Sequence, residues 1–350
     1  MFAGSANRSA RVTIREVAHH AGVSVSTASK ALNGNGRMTE DTRERILKAA
    51  SELQFRPNAM ARGLLKQRSF TVGLLTNDTY GRFTLPVASG ISEALVDEGV
   101  SVFLCPVLDN DPRRAQVNVE AMQDKCVDAL IVSGRRADAR LPIDLASLTM
   151  PIIHVYSECG PNEIGFFVDE VQGARLAVEH LYASGRTRVA HVTGPDSFDV
   201  VAKRIAGWRE ASRAHDRDPF LQPLTGAWTE AWGFAAAERL FANGVPSAGR
   251  PDAVFCGNDQ IARGLADALA LRGIKVPEDV AIVGFDNWEI FADAVRPPLT
   301  TIDMNLVELG RQAGQTLLEL IEGRPVAPGH RYLPCRLIQR RSCGAGRDMS

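Results

Sequence analysis

Residues 13–33 read TIREVAHHAGVSVSTASKALN, and this stretch predicts two short helices joined by a tight turn. Thr13 and Glu16 have the spacing of a capping box, which starts the first helix at Ile14. The apolar residues of this helix recur at helical spacing and share one face: Ile14, Val17, Ala18 and Ala21. Gly22 can then adopt the left-handed backbone conformation that ends a helix at little cost. The pattern predicts a helix-turn-helix.

The second helix of this pair has an outward face that suits DNA. Ser24 is a good N-cap, and we expect the helix to run to about Asn33. The residues expected to pack inward are Ala28, Ala31 and Leu32. Small, hydrogen-bonding and basic side chains remain on the outer face: Val25, Ser26, Thr27, Ser29 and Lys30. Such a face fits the major groove, although a helical hairpin with a solvated polar face is the alternative.

Two further segments complete the N-terminal region. Residues 39–53 predict a third amphipathic helix, whose inward residues would be Ile46, Leu47, Ala50 and Leu53. Residues 55–69 read FRPNAMARGLLKQRS and contain a helix start signal, Pro57 followed by Asn58 as the N-cap. This helix would be short and has Gly63 in its interior, so it would be marginal alone in water. We expect it to form only when something holds it.

The motif AGVSVSTASKALN, the third helix and the motif RPNAMARGLL together resemble the LacI/GalR family of bacterial transcription regulators, and the resemblance extends through the rest of the chain. It implies that residues 24–33 form a recognition helix, with Val25, Ser26 and Lys30 at the base-reading positions. The family usually has valine and arginine where this chain has Ala28 and Lys30. Because lysine lacks the planar fork of arginine, the contact with the operator would differ in detail.

The same resemblance implies a role for the weak fourth helix. Residues 57–69 would form a hinge helix that orders on operator DNA, pairs with the hinge of a second copy and inserts Leu64 between base steps in the minor groove. An apolar wedge of this kind kinks DNA. The residues expected to contact DNA are Ser24, Val25, Ser26, Thr27, Ser29, Lys30, Asn33, Asn58, Arg62 and Leu64.

The distribution of charge agrees with a DNA-binding headpiece. Residues 1–68 contain 12 lysines and arginines against five acidic residues, whereas the whole chain has a formal net charge of −1. A basic N-terminal segment therefore precedes an acidic body. Clustered basic residues are the electrostatic footprint expected of contacts with phosphates, although a solvated charged surface is the alternative.

Composition and motifs limit the remaining classes. No apolar run reaches the length of a membrane span, and residues 1–11 lack a signal-peptide core and are expected to be a disordered arm. The six cysteines are widely spaced and form no CxxC pair. The chain lacks a dinucleotide fingerprint, a P-loop, a nucleophile elbow and an HExxH motif. We therefore expect a cytoplasmic, nucleoid-associated protein that is not an enzyme and has no cofactor, metal site or membrane partner.

Beyond residue 69 the chain alternates apolar strands with helices, which indicates an α/β fold. The predicted strands cover 70–76, 100–105, 128–132, 151–155, 188–193, 252–256 and 279–284, and the helices between them cover 86–98, 112–124, 171–184, 202–215, 229–243 and 259–272. Continuous Val/Ile/Leu strands separated by helices indicate parallel sheets covered on both faces. Two sets of such units suggest two subdomains divided near residue 168.

The resemblance gives this body a periplasmic-binding-protein-like fold in which the chain crosses three times between the subdomains. With the helix-turn-helix over 12–56 and the hinge over 57–69, we place the first subdomain at 70–168 and 303–328. The second would comprise 169–302 and 329–345. A small effector would bind in the cleft between them.

Polar and aromatic residues follow the predicted strands, at the sheet edge where open α/β sheets bind ligands. We expect the effector to contact Asn77, Asp78, Arg82, Phe83, Ser133, Tyr156, Arg204, Trp228, Asn258 and Asp286. Planar polar groups and aromatic rings of this kind recognise sugars. The family resemblance matches Arg204, Asn258, Asp286 and Trp228 to effector contacts, but Tyr156 replaces a frequent aspartate and leaves the ligand's identity open.

Several of these residues have a purely structural alternative. Asp78 can be a turn residue and Trp228 can belong to the core. Asp259, which follows Asn258, is expected to cap the next helix. Arg204 and Asp286 are harder to explain without a ligand, because a charge beside an apolar strand end is costly unless it faces a cleft or is paired.

These observations lead to one main hypothesis and two alternatives. The chain would be a dimeric repressor of sugar-utilisation genes, which binds operator DNA and changes its operator affinity when a small effector, a sugar, binds the cleft. The first alternative keeps this architecture but has a nucleobase, a sugar phosphate or a protein corepressor as the effector. The second is a solute-binding protein for transport, which the basic headpiece argues against.

Overall fold

Three helices form the described part of the N-terminal unit. The computed structural model describes residues 12–32, 36–55, 68–108, 111–242 and 247–344, and it separates into two units, Met1–Phe70 and Thr71–Ser350. In the first unit, α1 spans Ile14–His20, α2 spans Val25–Leu32 and α3 spans Glu40–Glu52. Short helices with a turn between the first two confirm the predicted helix-turn-helix.

The predicted caps explain where these helices begin and end. The backbone N–H of Thr13 donates to Glu16 Oε2 at 2.6 Å, as the capping-box spacing predicts. Gly22 has a φ of +65° in the turn after α1. The backbone N–H of Thr27 donates to the hydroxyl of Ser24 at 3.1 Å, so Ser24 caps α2 as expected.

The core of the first unit contains the predicted inward residues with one exception. Its buried members are Val17, Ala18, Ala21, Ala28, Ala31, Ile46, Ala49 and Ala50. The expectation that Leu47 packs inward is wrong, since its side chain is 48% exposed. Ala49 takes the inward place because Ile46, Ala49, Ala50 and Leu53 follow the i, i+3, i+4, i+7 spacing of one helical face.

Some predictions lie outside the described residues. These are the N-terminal arm over 1–11, residues 57–67 of the hinge segment, and four positions expected to contact DNA: Asn33, Asn58, Arg62 and Leu64.

The second unit begins with a fully parallel six-stranded sheet. Its strands are β1 (Thr71–Thr76), β2 (Ser101–Pro106), β3 (Ala129–Arg136), β4 (Ile152–Ser157), β5 (Ile164–Val168) and β11 (Gly329–Leu333), in the order β11-β5-β4-β3-β1-β2. The helices of this half are α4 (Thr84–Leu95), α5 (Pro112–Asp124) and α11 (Leu306–Ile321), and α11 packs on α4. The predicted strands of this half are confirmed, but β5 and β11 were not predicted.

A second six-stranded sheet completes this unit. Its strands are β6 (Val189–Thr193), β7 (Leu224–Thr225), β8 (Ala253–Cys256), β9 (Ala281–Asp286), β10 (Thr300–Asp303) and β12 (Arg336–Ile338), in the order β12-β10-β9-β8-β6-β7. Only β12, at the edge, runs antiparallel to its neighbour. The helices are α6 (Glu170–Ala183), α7 (Asp199–Ala214), α8 (Glu230–Leu240), α9 (Asp259–Leu271) and the short α10 (Glu289–Ala292).

The chain crosses between the two sheets three times, as the family resemblance implies. The crossings follow β5, β10 and β11. One predicted boundary is wrong: Gly329–Leu333 was assigned to the second subdomain, yet it pairs with β5 in the first sheet. The last crossing therefore lies between Leu333 and Arg336. None of the helices in the described residues is long and apolar enough to cross a membrane.

Candidate functional site

The outer face of α2 presents the residues that the sequence assigns to DNA. Val25 is 43% exposed, and Ser26 and Lys30 are also exposed, whereas Thr27 and Ser29 are half-buried. The hydroxyls of Ser24 and Thr27 lie 2.8 Å apart and stabilise the start of the helix. The exposed part of the face therefore consists of one apolar, one hydroxyl and one cationic side chain.

A cavity of about 570 Å³ lies at the carboxyl ends of the strands of both sheets. Eight of the ten residues expected at the effector site line it: Asp78, Arg82, Phe83, Tyr156, Arg204, Trp228, Asn258 and Asp286. The non-glycine residues Tyr156 and Asp286 have positive φ values of 49° and 102°. Such conformations cost free energy and concentrate at functional sites.

Two expected residues do not line this cavity. The side-chain oxygen of Asn77 accepts a hydrogen bond from the backbone N–H of Arg135 at 3.0 Å. Ser133 is 1% exposed. The register of β3 against β4 shifts between Ser133 and Arg136, and beyond this irregularity Arg135 and Arg136 reach the wall of the cavity.

Arg204 belongs to a buried polar network. Its Nε donates to Glu170 Oε2 at 2.8 Å, its Nη1 donates to the carbonyl of Gly257, and Tyr156 donates its hydroxyl to Glu170 Oε1 at 3.0 Å. Burial lowers the pKa of Arg204, but the charge of Glu170, that of Tyr156 and the hydrogen bond to Glu170 together keep the pKa of the guanidinium above its usual value. Burial, followed by the charge of Glu170, raises the pKa of Tyr156 well above its usual value. The buried cation is therefore paired.

The hydrogen bond from Tyr156 to Glu170 is one link across the cavity, and Arg82 makes a second. It follows β1 of the first sheet and forms an ion pair with Asp286 at the end of β9, and its Nη1 donates to Gln260 at 3.3 Å. Its guanidinium lies 5.1 Å from the ring centre of Phe83 and 4.9 Å from that of Trp288. Burial lowers the pKa of Arg82 to about 10, so the side chain remains charged near neutral pH.

A third link across the cavity involves residues outside the predicted effector site. Arg136 binds Asp138 with two hydrogen bonds, at 2.9 and 2.8 Å, and donates to the carbonyl of Ser197 at 3.1 Å. Its guanidinium stacks on the ring of Phe198 at 3.7 Å, and the backbone N–H of Asp199 donates to Asp138 at 2.9 Å. The sequence signal is the run Ser133–Arg136, in which two arginines come two residues after the apolar part of β3.

The adjacent residues Asn258 and Asp259 have different roles at the start of α9. Asn258 caps α9, since its side-chain oxygen accepts from the N–H of Ile261 at 2.8 Å, so the prediction that Asp259 is the cap is wrong. Asp259 instead accepts from the backbone N–H of Trp288 at 2.7 Å and from the Thr301 hydroxyl at 2.5 Å. Burial raises the pKa of Asp259 to about 7.

Asp78 and Trp228 combine a structural role with a place in the wall. One carboxylate oxygen of Asp78 accepts from the backbone N–H groups of Phe83 and Thr84, at 2.7 and 2.9 Å, at the start of α4. Trp228 packs against the core of the second sheet and meets Phe198 edge to face at 5.8 Å. The remaining wall residues that were not predicted are Tyr80, Val200 and Gln260 together with the arginines and aromatic residues named above.

Comparisons with known proteins place both units in one family. A model of the bacterial regulatory proteins of the lacI family matches residues 13–58, and a model of periplasmic binding protein-like domains matches residues 178–343. The chain is 32% identical over 317 residues to the HTH-type transcriptional repressor PurR of Haemophilus influenzae, covering 88% of this chain and 91% of PurR. It is 31% identical over 318 residues to the ribose operon repressor of Escherichia coli, covering 88% and 93%.

Solved structures give the same result. The lac repressor dimer bound to operator and the anti-inducer ONPF matches with a TM-score of 0.71 at 27% identity, over 95% of this chain and 99% of that one. The complex of the transcriptional regulator CelR with cellobiose matches with a TM-score of 0.63 at 25% identity, over 95% and 100%. The chain belongs to the LacI family of bacterial transcriptional regulators, and it is a DNA-binding regulator and not an enzyme.

Proposed function

We propose that this chain is a dimeric, cytoplasmic repressor of sugar-utilisation genes whose affinity for its operator changes when a sugar binds the cavity of the body. The observation that carries the proposal is the cavity itself. Arginines, carboxylates and four stacked or edge-on aromatic rings converge at the carboxyl ends of two parallel sheets. The relatives support a sugar, since they include a ribose operon repressor and a regulator solved with cellobiose.

The DNA contacts of the proposal belong to α2 and to the hinge. Val25, Ser26 and Lys30 read bases, and Ser24, Thr27, Ser29 and Asn33 support the contact with the operator. Residues 57–69 act as the hinge helix, in which Asn58, Arg62 and Leu64 contact the minor groove. An apolar side chain reads a thymine methyl group, whereas a lysine contributes a charged hydrogen bond.

A population shift would couple the two sites. The body has two arrangements, only one of which lets the paired hinge segments fold on the operator. An effector changes the populations only through its different affinity for the two arrangements. The pairs Arg82–Asp286 and Tyr156–Glu170 join the two halves of the body, so a ligand in the cavity would compete with or reinforce them.

The test is a measurement of operator affinity in the presence of candidate effectors. An operator is first selected from a pool of random duplexes, and fluorescence anisotropy with the full chain then measures its affinity with neutral sugars, sugar acids, sugar phosphates and purines. We expect a sugar to change the affinity for the selected operator but not the weak affinity for unrelated DNA. If purines alone change it, the sugar assignment fails. If calorimetry detects a ligand in the cavity but operator affinity never changes, the coupling fails.

A further inference from the structure

The acceptor groups in the wall of the cavity are largely used by the protein itself. Both oxygens of Asp286 lie beside arginines, and the carboxylate is 6% exposed. The side-chain oxygen of Gln260 accepts from Arg82, and that of Asn258 accepts from Ile261. One oxygen of Asp78 serves two backbone N–H groups. A ligand that mainly donates hydrogen bonds would therefore have to displace existing ones.

The donors in the same wall are more numerous. Four arginines line the cavity against two aspartates: Arg82, Arg135, Arg136 and Arg204. Nε of Arg82 is buried and has no hydrogen-bond partner among the residues that the structure describes. Two tryptophans also border the cavity, and an indole can only donate. The wall thus favours a ligand that is rich in acceptors.

The charge balance of the cavity wall is positive as well. Glu170 neutralises Arg204 and Asp138 neutralises Arg136, but neither carboxylate lines the cavity. A ligand in the cavity would therefore meet the guanidinium groups of Arg136 and Arg204 without their compensating carboxylates, whereas Asp286, which pairs with Arg82, lines the cavity itself. Because Coulomb energy falls with distance, the nearer cations dominate, more so in a half-buried site than in water.

Aromatic rings hold three of these guanidinium groups in place. Arg136 lies 3.7 Å from the ring centre of Phe198, Arg204 lies 3.7 Å from that of Phe285, and Arg82 lies between Phe83 and Trp288. Stacked guanidinium groups keep their edges, with the N–H groups, directed away from the rings. Such a group binds a carboxylate or a phosphate with little further loss of side-chain entropy.

We infer that the effector of this regulator is an anionic monosaccharide, carrying a carboxylate or a phosphate, whose charged group binds between Arg135, Arg136 and Arg82. The inference rests on the proposed function and narrows its ligand class. An ionised carboxylate or phosphate only accepts hydrogen bonds, and a planar guanidinium binds it with two of them. The sugar hydroxyls would remain for the rest of the wall.

Calorimetry with the full chain and matched pairs of sugars tests this inference. Glucose is compared with glucuronate and glucose 6-phosphate, and galactose with galacturonate, at low and high salt. We expect at least one anionic member to bind about tenfold or more tightly than its neutral parent, the advantage given by one charged pair of hydrogen bonds. High salt should reduce this advantage, because it screens the charge. Comparison of the uronates with glucose 6-phosphate shows whether the cavity prefers a carboxylate or a phosphate.

Two substitutions make the test specific to the wall. Arg135→Gln should remove most of the preference for the anion, because the affinity for the anion should fall much more than the affinity for its neutral parent. The matched control is Arg140→Gln, since Arg140 is 54% exposed, pairs with Glu158 and Glu163 and does not line the cavity. Arg140→Gln should retain the full preference.

The outcomes separate this inference from the proposed function. A neutral sugar that binds as tightly as its acid and its phosphate, and that changes operator affinity, overturns the inference and keeps the sugar-responsive repressor. Failure of every anionic sugar to bind also overturns the inference. An anionic sugar that binds with the expected preference but never alters operator affinity supports the ligand class and contradicts the proposed function.

Discussion

Lys30 is the exposed cation on the outer face of α2, so its removal tests the DNA surface at a single residue. Lys30→Ala should weaken operator binding about tenfold, the loss expected for one charged contact, and should leave effector binding unchanged. Lys48→Ala is the matched control, since Lys48 is 77% exposed on α3 and outside the predicted contacts. Fluorescence anisotropy over a salt series measures both. Equal affinity of Lys30→Ala and the parent chain at every salt concentration would contradict the recognition-helix assignment.

Arg204 and Glu170 form a buried ion pair, with side chains only 3% and 1% exposed. Arg204→Ala should therefore lower the free energy of unfolding of the body by about 3–5 kcal/mol, because Glu170 would keep a buried charge without its partner. Replacing both residues with methionine should recover much of this loss. Urea unfolding of Arg204→Met, Glu170→Met and the double variant measures the coupling between the two residues. Additive losses in the double variant would show that the pair contributes nothing as a unit.

Asp259 is a buried carboxyl whose titration should affect stability. Burial raises its pKa to about 7 in the folded chain, whereas the ordinary value is 3.8, so the folded state binds the proton more tightly. The parent chain should therefore lose stability relative to Asp259→Asn as pH rises from about 4 to about 7, and the difference should level off above that. Thermal unfolding of both proteins across this range measures the effect. A stability difference that is constant with pH would contradict the raised pKa.

At the residue scale, the sequence predicts local contacts but not contacts between distant residues. The caps Thr13 and Ser24 were predictable because both partners lie within three residues. Glu170 was not, because it meets Arg204 from 34 residues away and nothing nearby marks it. Asn258 and Asp259 are adjacent and both suit a cap, and only the position of Trp288 and Thr301 decides which of them faces the loop.

At the scale of elements, α4 and α11 pack so closely that their contact requires glycine. A Cβ on Gly310 would lie 2.1 Å from the carbonyl oxygen of Val87. Gly310→Ala should therefore destabilise the body by about 1–3 kcal/mol, since the forced separation outweighs the better helix propensity of alanine. Gln315→Ala, at an exposed position of the same helix, is the control. Urea unfolding compares them, and a Gly310→Ala protein as stable as its control would exclude a tight contact.

The long apolar strands could be predicted, whereas the short ones could not. β1, β3, β6 and β9 each contain a continuous run of buried, mostly apolar residues, and their strand character is visible locally. β7 has two residues and β12 has three, and each is a strand only because a neighbour supplies hydrogen bonds. β11 shows the same limit: only Leu333 of Gly329–Leu333 is buried, and pairing with β5 decides its sheet.

At the scale of the whole molecule, the N-terminal region and the body carry opposite net charges. Residues 1–68 are basic while the complete chain has a net charge of −1, so the body is acidic. Phosphates attract the first region and repel the second, which favours DNA contact through the N-terminal unit. This division was readable from sequence. The links between the two halves of the body could not be read from the sequence, because each joins residues that are far apart in the chain, such as Arg82 and Gln260.

Asp286 is one of these links and gives a test of communication through the molecule. It pairs with Arg82 from the other half of the body, and its φ of 102° is positive, a range in which asparagine and aspartate are both enriched over most other residues. Asp286→Asn should retain the fold and operator binding, but the effector concentration needed for half of the operator response should change about tenfold, because a charged pair that joins the two halves of the body is lost. For an anionic effector the concentration should fall, since the substitution removes a negative charge beside Arg82. Asp293→Asn, whose carboxylate is 65% exposed and pairs with Arg340, removes the same charge nearby and should respond like the parent chain. Titration of the operator complex with effector measures all three proteins. An unchanged response of Asp286→Asn would mean that the effector does not act through this pair, and the coupling would then have to be sought in the other two links, Tyr156–Glu170 and Arg136–Ser197.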